Sequence, residues 1–342
     1  MLVDYYKLYY KVKTRLITVG CSVEQAENIT NSLMLSQACG VETHGLRMLY
    51  DHIKKIQNGF YNLDSNIIVE EMTSSFAKIN CNGMIGMDSA VKCMQLAIDE
   101  CKQNGVYVVF ANNANTLSAA FVYSLMAAKQ GMIGIVASNS PAKMPAYGGI
   151  EKMLGTNPLS YAIPAKSHNP ILFDMATSIV AQSKINMAKD RNEAIPEGWA
   201  LNEQGYPTTN SLEACKGMIL PMAGPKGYGL SMMIDLIAGL LSGAAYLNRV
   251  GRFYNEKNVC MNVGHFFMTI NPVIIYGESF YAEIDSYIDT IKQSKTLDKN
   301  CVKVPGENKF NNLQRTINDG VFIQDDLHIL LKECNIDFED TI

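Results

Sequence analysis

Residues 131–182 read GMIGIVASNSPAKMPAYGGIEKMLGTNPLSYAIPAKSHNPILFDMATSIVAQ, and the arrangement of the chain turns on this stretch. Three runs rich in Val, Ile, Leu, Tyr and Phe, at 132–137, 159–163 and 170–173, are bounded by Gly, Pro or Asn and read as strands. The loops between them carry Asn139, Ser140, Gly148, Gly149, Thr156 and Asn157. Small side chains, backbone that a ligand can approach closely and hydrogen-bonding heads suit a polar ligand lying across the strand ends.

Upstream, residues 1–75 read as mainly helical. MLVDYYKLYYKVK at the start has the pattern of a polar-faced helix. Ser22-Val23-Glu24-Gln25 forms a capping box for a helix that buries Ala26, Ile29, Leu33 and Met34 and stops at Gly40. Thr43-His44-Gly45-Leu46-Arg47 follows at once, and a second helix over 46–57 ends at Asn58-Gly59. From about 75 to 251 strands and helices alternate. Asp88 is placed to cap a helix whose Val91, Met94, Ile98 and Cys101 recur at helical spacing, with Asn104-Gly105 as its end. A strand at 106–110 and a helix over 118–130 lead back to residue 131.

Downstream, a helix is expected over 180–188, then a loop over 196–207 holding Trp199. A long apolar helix over 226–241 is expected to be buried on most of its circumference. NVGHFFMTIN at 262–271 reads as a strand. Two amphipathic helices close the chain, with Val304-Pro305-Gly306-Glu307 between them. There is no internal repeat or long linker.

With 342 residues, 48% hydrophobic and 18% charged, the chain can bury a large core in two intertwined lobes. A formal charge of −4 and no basic run longer than Lys54-Lys55 argue against nucleic acid or an anionic membrane as partner. No stretch nears the ~20 apolar residues of a membrane span, and the start lacks a signal-peptide core, so the expected location is the cytoplasm. The nine cysteines form no C-x-x-C pair and read as reduced, mostly buried thiols. Five histidines without H-E-x-x-H spacing give no support for a metal site. Neither G-x-G-x-x-G nor a phosphate-binding G-x-x-x-x-G-K-[ST] loop occurs.

The runs GGIEKMLGTNPLSYAIPA, DMATS, PKGYGLSMMIDLIAGLLSGA and VPGE stand in this order along the chain. Together they resemble the malate/L-lactate dehydrogenase-like family of NAD(P)-dependent 2-oxoacid reductases, which includes malate, sulfolactate, ureidoglycolate and diketogulonate enzymes and cyclic-imine carboxylate reductases. The similarity spans residues 24–336. It implies an α/β, non-Rossmann fold: a central, mostly antiparallel sheet domain over 76–260 that binds the dinucleotide, and a helical lobe built from 1–75 with 261–342 on the substrate and dimerisation side. The missing glycine fingerprint fits that fold. A homodimer, a small-molecule substrate and NAD or NADP as cofactor are expected with it.

Reduction of a 2-oxoacid needs a hydride donor, an acid for the developing alkoxide and a cation for the carboxylate. His44, just past a helix stop, is the candidate acid; the matching Ser/Thr-His-Gly motif of the family, whose His is the proposed proton donor in some members, implies that role, with Thr43 orienting the ring or contacting substrate. Arg47 is the candidate carboxylate clamp, although the family carries its Arg one residue later, where this chain has Met48. Where the family commonly has S-N-H-F-G, this chain has Ala114-Asn115-Thr116-Leu117-Ser118, and a threonine cannot act as general acid or base near neutral pH. Thr116 and Gly149 are expected on the substrate side. Ser140, the Asp174-Met175-Ala176 turn, Lys226-Gly227 and Pro305-Gly306-Glu307 match the family's cofactor contacts. The expected activity is a malate-, lactate- or ureidoglycolate-like dehydrogenase. The alternatives are a cyclic-imine carboxylate reductase, or a non-catalytic dinucleotide-binding homologue in view of Thr116 and Met48.

Overall fold

In the strand Val263–Ile270 the side chains of His265, Phe267 and Thr269 are fully buried, and Phe266, Met268 and Ile270 between them are half-buried. That two-residue period is the mark of a strand with one face in the core. The computed structural model describes residues 1–64, 66–253, 260–297 and 302–338, and this strand runs through the middle of its seven-stranded sheet. The sheet strands in chain order are β1 Ile68–Met72, β2 Phe76–Asn80, β3 Val106–Ala114, β4 Ile133–Ser138, β5 Leu159–Ile163, β6 Ile171–Met175 and β7 Val263–Ile270. Their spatial order is β1-β2-β3-β7-β4-β5-β6. Every neighbouring pair is antiparallel except β2 with β3. The sheet is therefore the mostly antiparallel, non-Rossmann one expected, and the three strands read from 131–182 are all in it.

Helices α1 Tyr5–Thr18, α2 Val23–Ala38, α3 Leu49–Gln57, α4 Gly86–Asn104 and α5 Phe121–Lys129 make up the first half of the helical set. At the start of α2, Gln25 N–H donates to Ser22 Oγ (3.2 Å) and Ser22 N–H to Gln25 Oε1 (2.9 Å), which is the reciprocal cap expected. α4 crosses from β2 to the parallel β3. It packs on the sheet together with α5, and α2 covers both. The short helices α6 Gln182–Asp190 and α7 Ser211–Lys216 form a satellite layer around Val180, Ile185, Ile195, Ala200, Ala214 and Ile219. α8 Pro225–Ile234 runs on into a π-helical turn, Asp235–Leu240, that packs on the sheet through β7, β4 and β3, with Ile234 and Ala238 against Ala137 and Phe266. α9 Pro272–Tyr276, α10 Phe280–Lys292, α11 Glu307–Asp319 and α12 Asp325–Glu333 complete the chain.

Several local expectations are corrected. Ile85, not Asp88, is the N-cap of α4; Asp88 lies buried in the first turn, where Asn28 Nδ2 donates to it at 2.7 Å and where the helix dipole favours a carboxylate. The segment 226–241 is not buried on most of its circumference: Met232, Met233, Leu236, Leu240 and Leu241 are 41–61% exposed, because only one side of the helix meets the sheet. Among the described residues four helices, not two, follow β7, and the expected loop over 196–207 contains the short strand Ala200–Leu201 and runs into another, Pro207–Thr208. Lobe boundaries at 75/76 and 260/261 leave β1 and β7 outside the middle segment, although both belong to its sheet. The eight described cysteines are free thiols; Cys301 lies outside the described residues. Among the described residues no helix is long and apolar enough to cross a membrane.

Candidate functional site

Strand register lines up the loops that matter. Ala114 of β3 stands opposite Val263 of β7, His265 opposite Ser138 of β4, Ala137 opposite Leu159 of β5, and Leu159 opposite Met175 of β6. The C-terminal ends of β3, β4 and β6 and the N-terminal ends of β5 and β7 thus share one edge of the sheet. Thr116, Ser140 and Asn157, distant in sequence, lie just beyond the strands along that edge, and Asp174 and Met175 end β6 there, with Ala176 next.

Asn157, fully buried, knits the first part together. Its Oδ1 accepts from Ser140 N–H (3.0 Å), and its Nδ2 donates to the Ser231 carbonyl in α8 (2.9 Å). Thr177 N–H donates to Thr156 O (2.9 Å), Met222 N–H to Thr177 O (3.0 Å) and Gly227 N–H to Met222 O (3.0 Å). A Cβ on Gly227 would stand 2.2 Å from Met222 O, so no larger residue fits there. On the other side of β6, Leu172 N–H donates to Pro305 O (3.0 Å), and Gly306, at φ +99°, packs its Cα so close that a Cβ would come within 2.8 Å of Leu172. Ser140 and Lys226–Gly227 are thus tied through Asn157, Thr156, Thr177 and Met222 to the end of β6 that carries Asp174–Ala176, while Pro305–Gly306 pack on Leu172 nearer the start of the same strand.

This cradle has unmet hydrogen-bonding capacity. α8 and α11 both begin without a side-chain cap; Lys226 and Gly227 N–H donate to Ala223 O (3.4 Å) and Met222 O (3.0 Å), and Glu307 N–H to Val304 O (3.3 Å), so what the two starts offer a ligand is chiefly their positive dipole ends. Thr177 Oγ1 is buried without a partner. Burial pushes the Asp174 carboxyl up to about 6, partly offset by Lys309, while part of the residue's surface is still open to solvent. Glu307 is ion-paired with Lys292 (2.6 Å) and offers the cradle only its backbone. Lys226 is exposed in the first turn of α8. Two positive helix ends and an ammonium for phosphates, with an unpaired carboxyl and hydroxyl for an amide-bearing ring, are a set that fits a nicotinamide dinucleotide.

Beside the cradle stands a second cluster. His44 ends a 3-10 turn, Glu42–His44. Its Nδ1 lies 3.0 Å from Thr43 Oγ1, and its carbonyl accepts from Ser118 Oγ at 2.6 Å. Ser118, at φ +68°, donates its N–H to Thr116 Oγ1 (3.3 Å) and reaches Met48 Sδ at 3.6 Å. In the protonated ring both nitrogens carry hydrogen, so Nδ1–H donates to the Thr43 hydroxyl and the Nε2 proton is left for a ligand. The ring is open to solvent, but protein surrounds the cleft it faces: burial lowers its pKa below the ordinary value, and Lys143 lowers it further.

Two expected site residues are held by contacts of their own. Arg47 makes a bidentate pair with Asp326 (2.6 and 3.2 Å) and bonds Gln324 (2.9 Å), so its guanidinium is spent on the start of α12. Gly149 closes a tight turn by donating to Ala146 O (2.8 Å), between the exposed Tyr147 and Ile150. Lys143, the charged group acting on His44, is a residue the sequence does not mark out. Its one sequence signal is a lone cation in a loop of Pro, Ala, Met and Gly.

The chain matches the sequence profile of the family described as malate/L-lactate dehydrogenase over residues 3–332. It is 35% identical to malate dehydrogenase of Pyrococcus abyssi over 329 residues, covering 92% of this chain and 89% of that one. It is 30% identical to ureidoglycolate dehydrogenase (NAD(+)) of Escherichia coli over 325 residues, covering 94% and 92%. Among solved structures, sulfolactate dehydrogenase from Methanocaldococcus jannaschii has a TM-score of 0.91 at 31% identity, with 99% of each chain covered.

Proposed function

Since the chain belongs to the malate/L-lactate dehydrogenase family of hydroxyacid oxidoreductases, we propose that it moves a hydride between NAD or NADP and a small 2-oxoacid or 2-hydroxyacid of the malate, lactate or ureidoglycolate type. The observation that carries this reading is the placement of His44, held by Thr43 and Ser118, on the same sheet edge as a cradle with uncapped helix starts.

A reduced nicotinamide, when bound, supplies the hydride for the carbonyl carbon. Ser140, Asp174, Met175, Ala176, Lys226, Gly227, Pro305, Gly306 and Glu307 would hold the dinucleotide. His44 donates its Nε2 proton to the developing alkoxide, and Thr43 fixes the ring so that this proton faces the cleft. Burial of His44 makes its protonated form a stronger acid. Thr116, locked to Ser118 N–H, lines the substrate side without exchanging protons, and Gly149 shapes the turn that borders it. The helical layers around α1 to α3 and α10 to α12 form the substrate side. The exposed apolar side of α8 and the turn after it, from Met232 to Leu241, is the surface of a homodimer, and a cytoplasmic location accords with the composition.

The test is a panel of 2-oxoacids and cyclic imines with NADH and NADPH, followed at the reduced-nicotinamide absorbance band. Turnover is expected with a 2-oxoacid, and His44→Ala should lower it ~10²-fold or more with cofactor affinity unchanged. Equal turnover in His44→Ala removes the proton-donor role. Tight cofactor binding with no turnover on any panel member would identify a non-catalytic dinucleotide-binding homologue instead.

A further inference from the structure

A 2-oxoacid carries a carboxylate that has to be held while its keto group faces His44, and neither residue that sequence would choose for this is available. Arg47 is committed to Asp326 and Gln324, and Met48, buried against Ser118, has no charge. We propose that Lys143 is the cation that binds the substrate carboxylate, a role that rests on the oxidoreductase reading above.

Lys143 sits three residues past Ser140, on the loop that leaves the sheet edge shared by both clusters. Its backbone is fixed on both sides: the N–H donates to Leu154 O (2.8 Å), and the carbonyl accepts from Ile219 N–H (3.1 Å). The loop is thus pinned to the Lys152–Leu154 and Met218–Ile219 strands, and the side chain starts from a rigid base. The residue is half-buried, and among the described residues its ammonium has no hydrogen-bond or ion-pair partner. It is the charged group that acts on His44, in keeping with a loop that starts from the sheet edge where Ser118 holds the His44 carbonyl. Lys152, anchored to Lys216 O at 2.7 Å, and Arg252 add positive charge around it, and no acid among the groups acting on it offsets them. Taking an ammonium partly out of water beside two further cations is unfavourable unless an anion completes the set. A carboxylate bound between Lys143 and His44 is that anion: it relieves the repulsion and aims the neighbouring carbonyl at the Nε2 proton.

The experiment uses the cofactor-loaded protein, with Lys143→Met, Lys143→Arg and Arg47→Ala beside wild type. KM and kcat are read on the best 2-oxoacid of the panel. Binding of oxamate, a 2-oxoacid isostere, is read by calorimetry, and the amide of the substrate is compared with the acid. Lys143→Met should weaken oxamate and raise KM by ~10- to 100-fold, the scale of a lost charged hydrogen bond, with the cofactor Kd and melting temperature unchanged. It should also erase the preference for acid over amide. Lys143→Arg should recover most of the binding, and Arg47→Ala should leave KM as in wild type. Oxamate affinity and KM within twofold of wild type in Lys143→Met would overturn the proposal, as would a rise in KM with Arg47→Ala in its place. A wild type that binds oxamate through Lys143 but turns over no substrate would sink the dehydrogenase reading while keeping the clamp. A wild type that binds no 2-oxoacid or oxamate would sink both.

Discussion

At the scale of single residues, Asp174 and His44 give opposite pH signatures. The Asp174 carboxyl is pushed by burial from its ordinary value to about 6, so the folded state holds the proton more tightly than the unfolded chain. The associated stability is fully present below about 4 and is lost as pH rises through about 6. Asp174→Asn should therefore stabilise the ligand-free protein at pH 8 by on the order of 1–3 kcal/mol, and the gain should vanish near pH 4. Urea midpoints across that range measure it, and equal midpoints at pH 8 would disprove the unpaired carboxyl. His44 titrates below its ordinary value, so kcat/KM for the reduction should fall as pH rises through a midpoint on the acid side of 6.5; a midpoint above 7 would contradict the described environment. His44 was legible in sequence because a helix stop and its neighbours Thr43 and Gly45 mark it out. Lys143 was not, since its meaning depends on strand contacts with Leu154 and Ile219 that no local pattern encodes. Arg47 misled because one position along a helix turns a side chain by ~100°, here toward α12.

Elements carry the next level of constraint. Gly86 opens α4 under the exit of β3, and a Cβ there would stand 2.2 Å from both Asn115 O and Thr116 O. These are backbone atoms that cannot swing aside. Gly86→Ala should cost about 1–3 kcal/mol of stability, the range for overpacking, and, by displacing the 115–118 turn, loosen the Ser118 bond to His44 and lower kcat. Wild-type stability in that variant would refute the close packing. Strand positions in 131–182 were readable because β-rich runs end in sharp Gly, Pro and Asn signals. The surroundings of 226–241 were not: an apolar sequence alone does not say whether its second side meets the chain's own core or is left open. Asp88 was misplaced for a related reason, because a helix start packed under a neighbouring strand needs no side-chain cap.

For the whole molecule, the uncovered apolar side from Met232 to Leu241 predicts association. Light scattering should give a mass of two chains for wild type, and Leu236→Glu combined with Leu240→Glu should halve it without unfolding the protein; a wild-type monomer at micromolar concentration would refute this. The non-Rossmann architecture was foreseen through family resemblance. The partners of the late strand were not, because pairing across more than a hundred residues leaves no local trace. β7 joins the β1-β2-β3 half of the sheet to the β4-β5-β6 half and touches both. During synthesis, therefore, the ribosome must deliver residue 270 before either half gains its central neighbour. Nascent chains halted short of residue 263 should stay sensitive to protease along their whole sheet region, and resistance should appear abruptly once that segment has emerged.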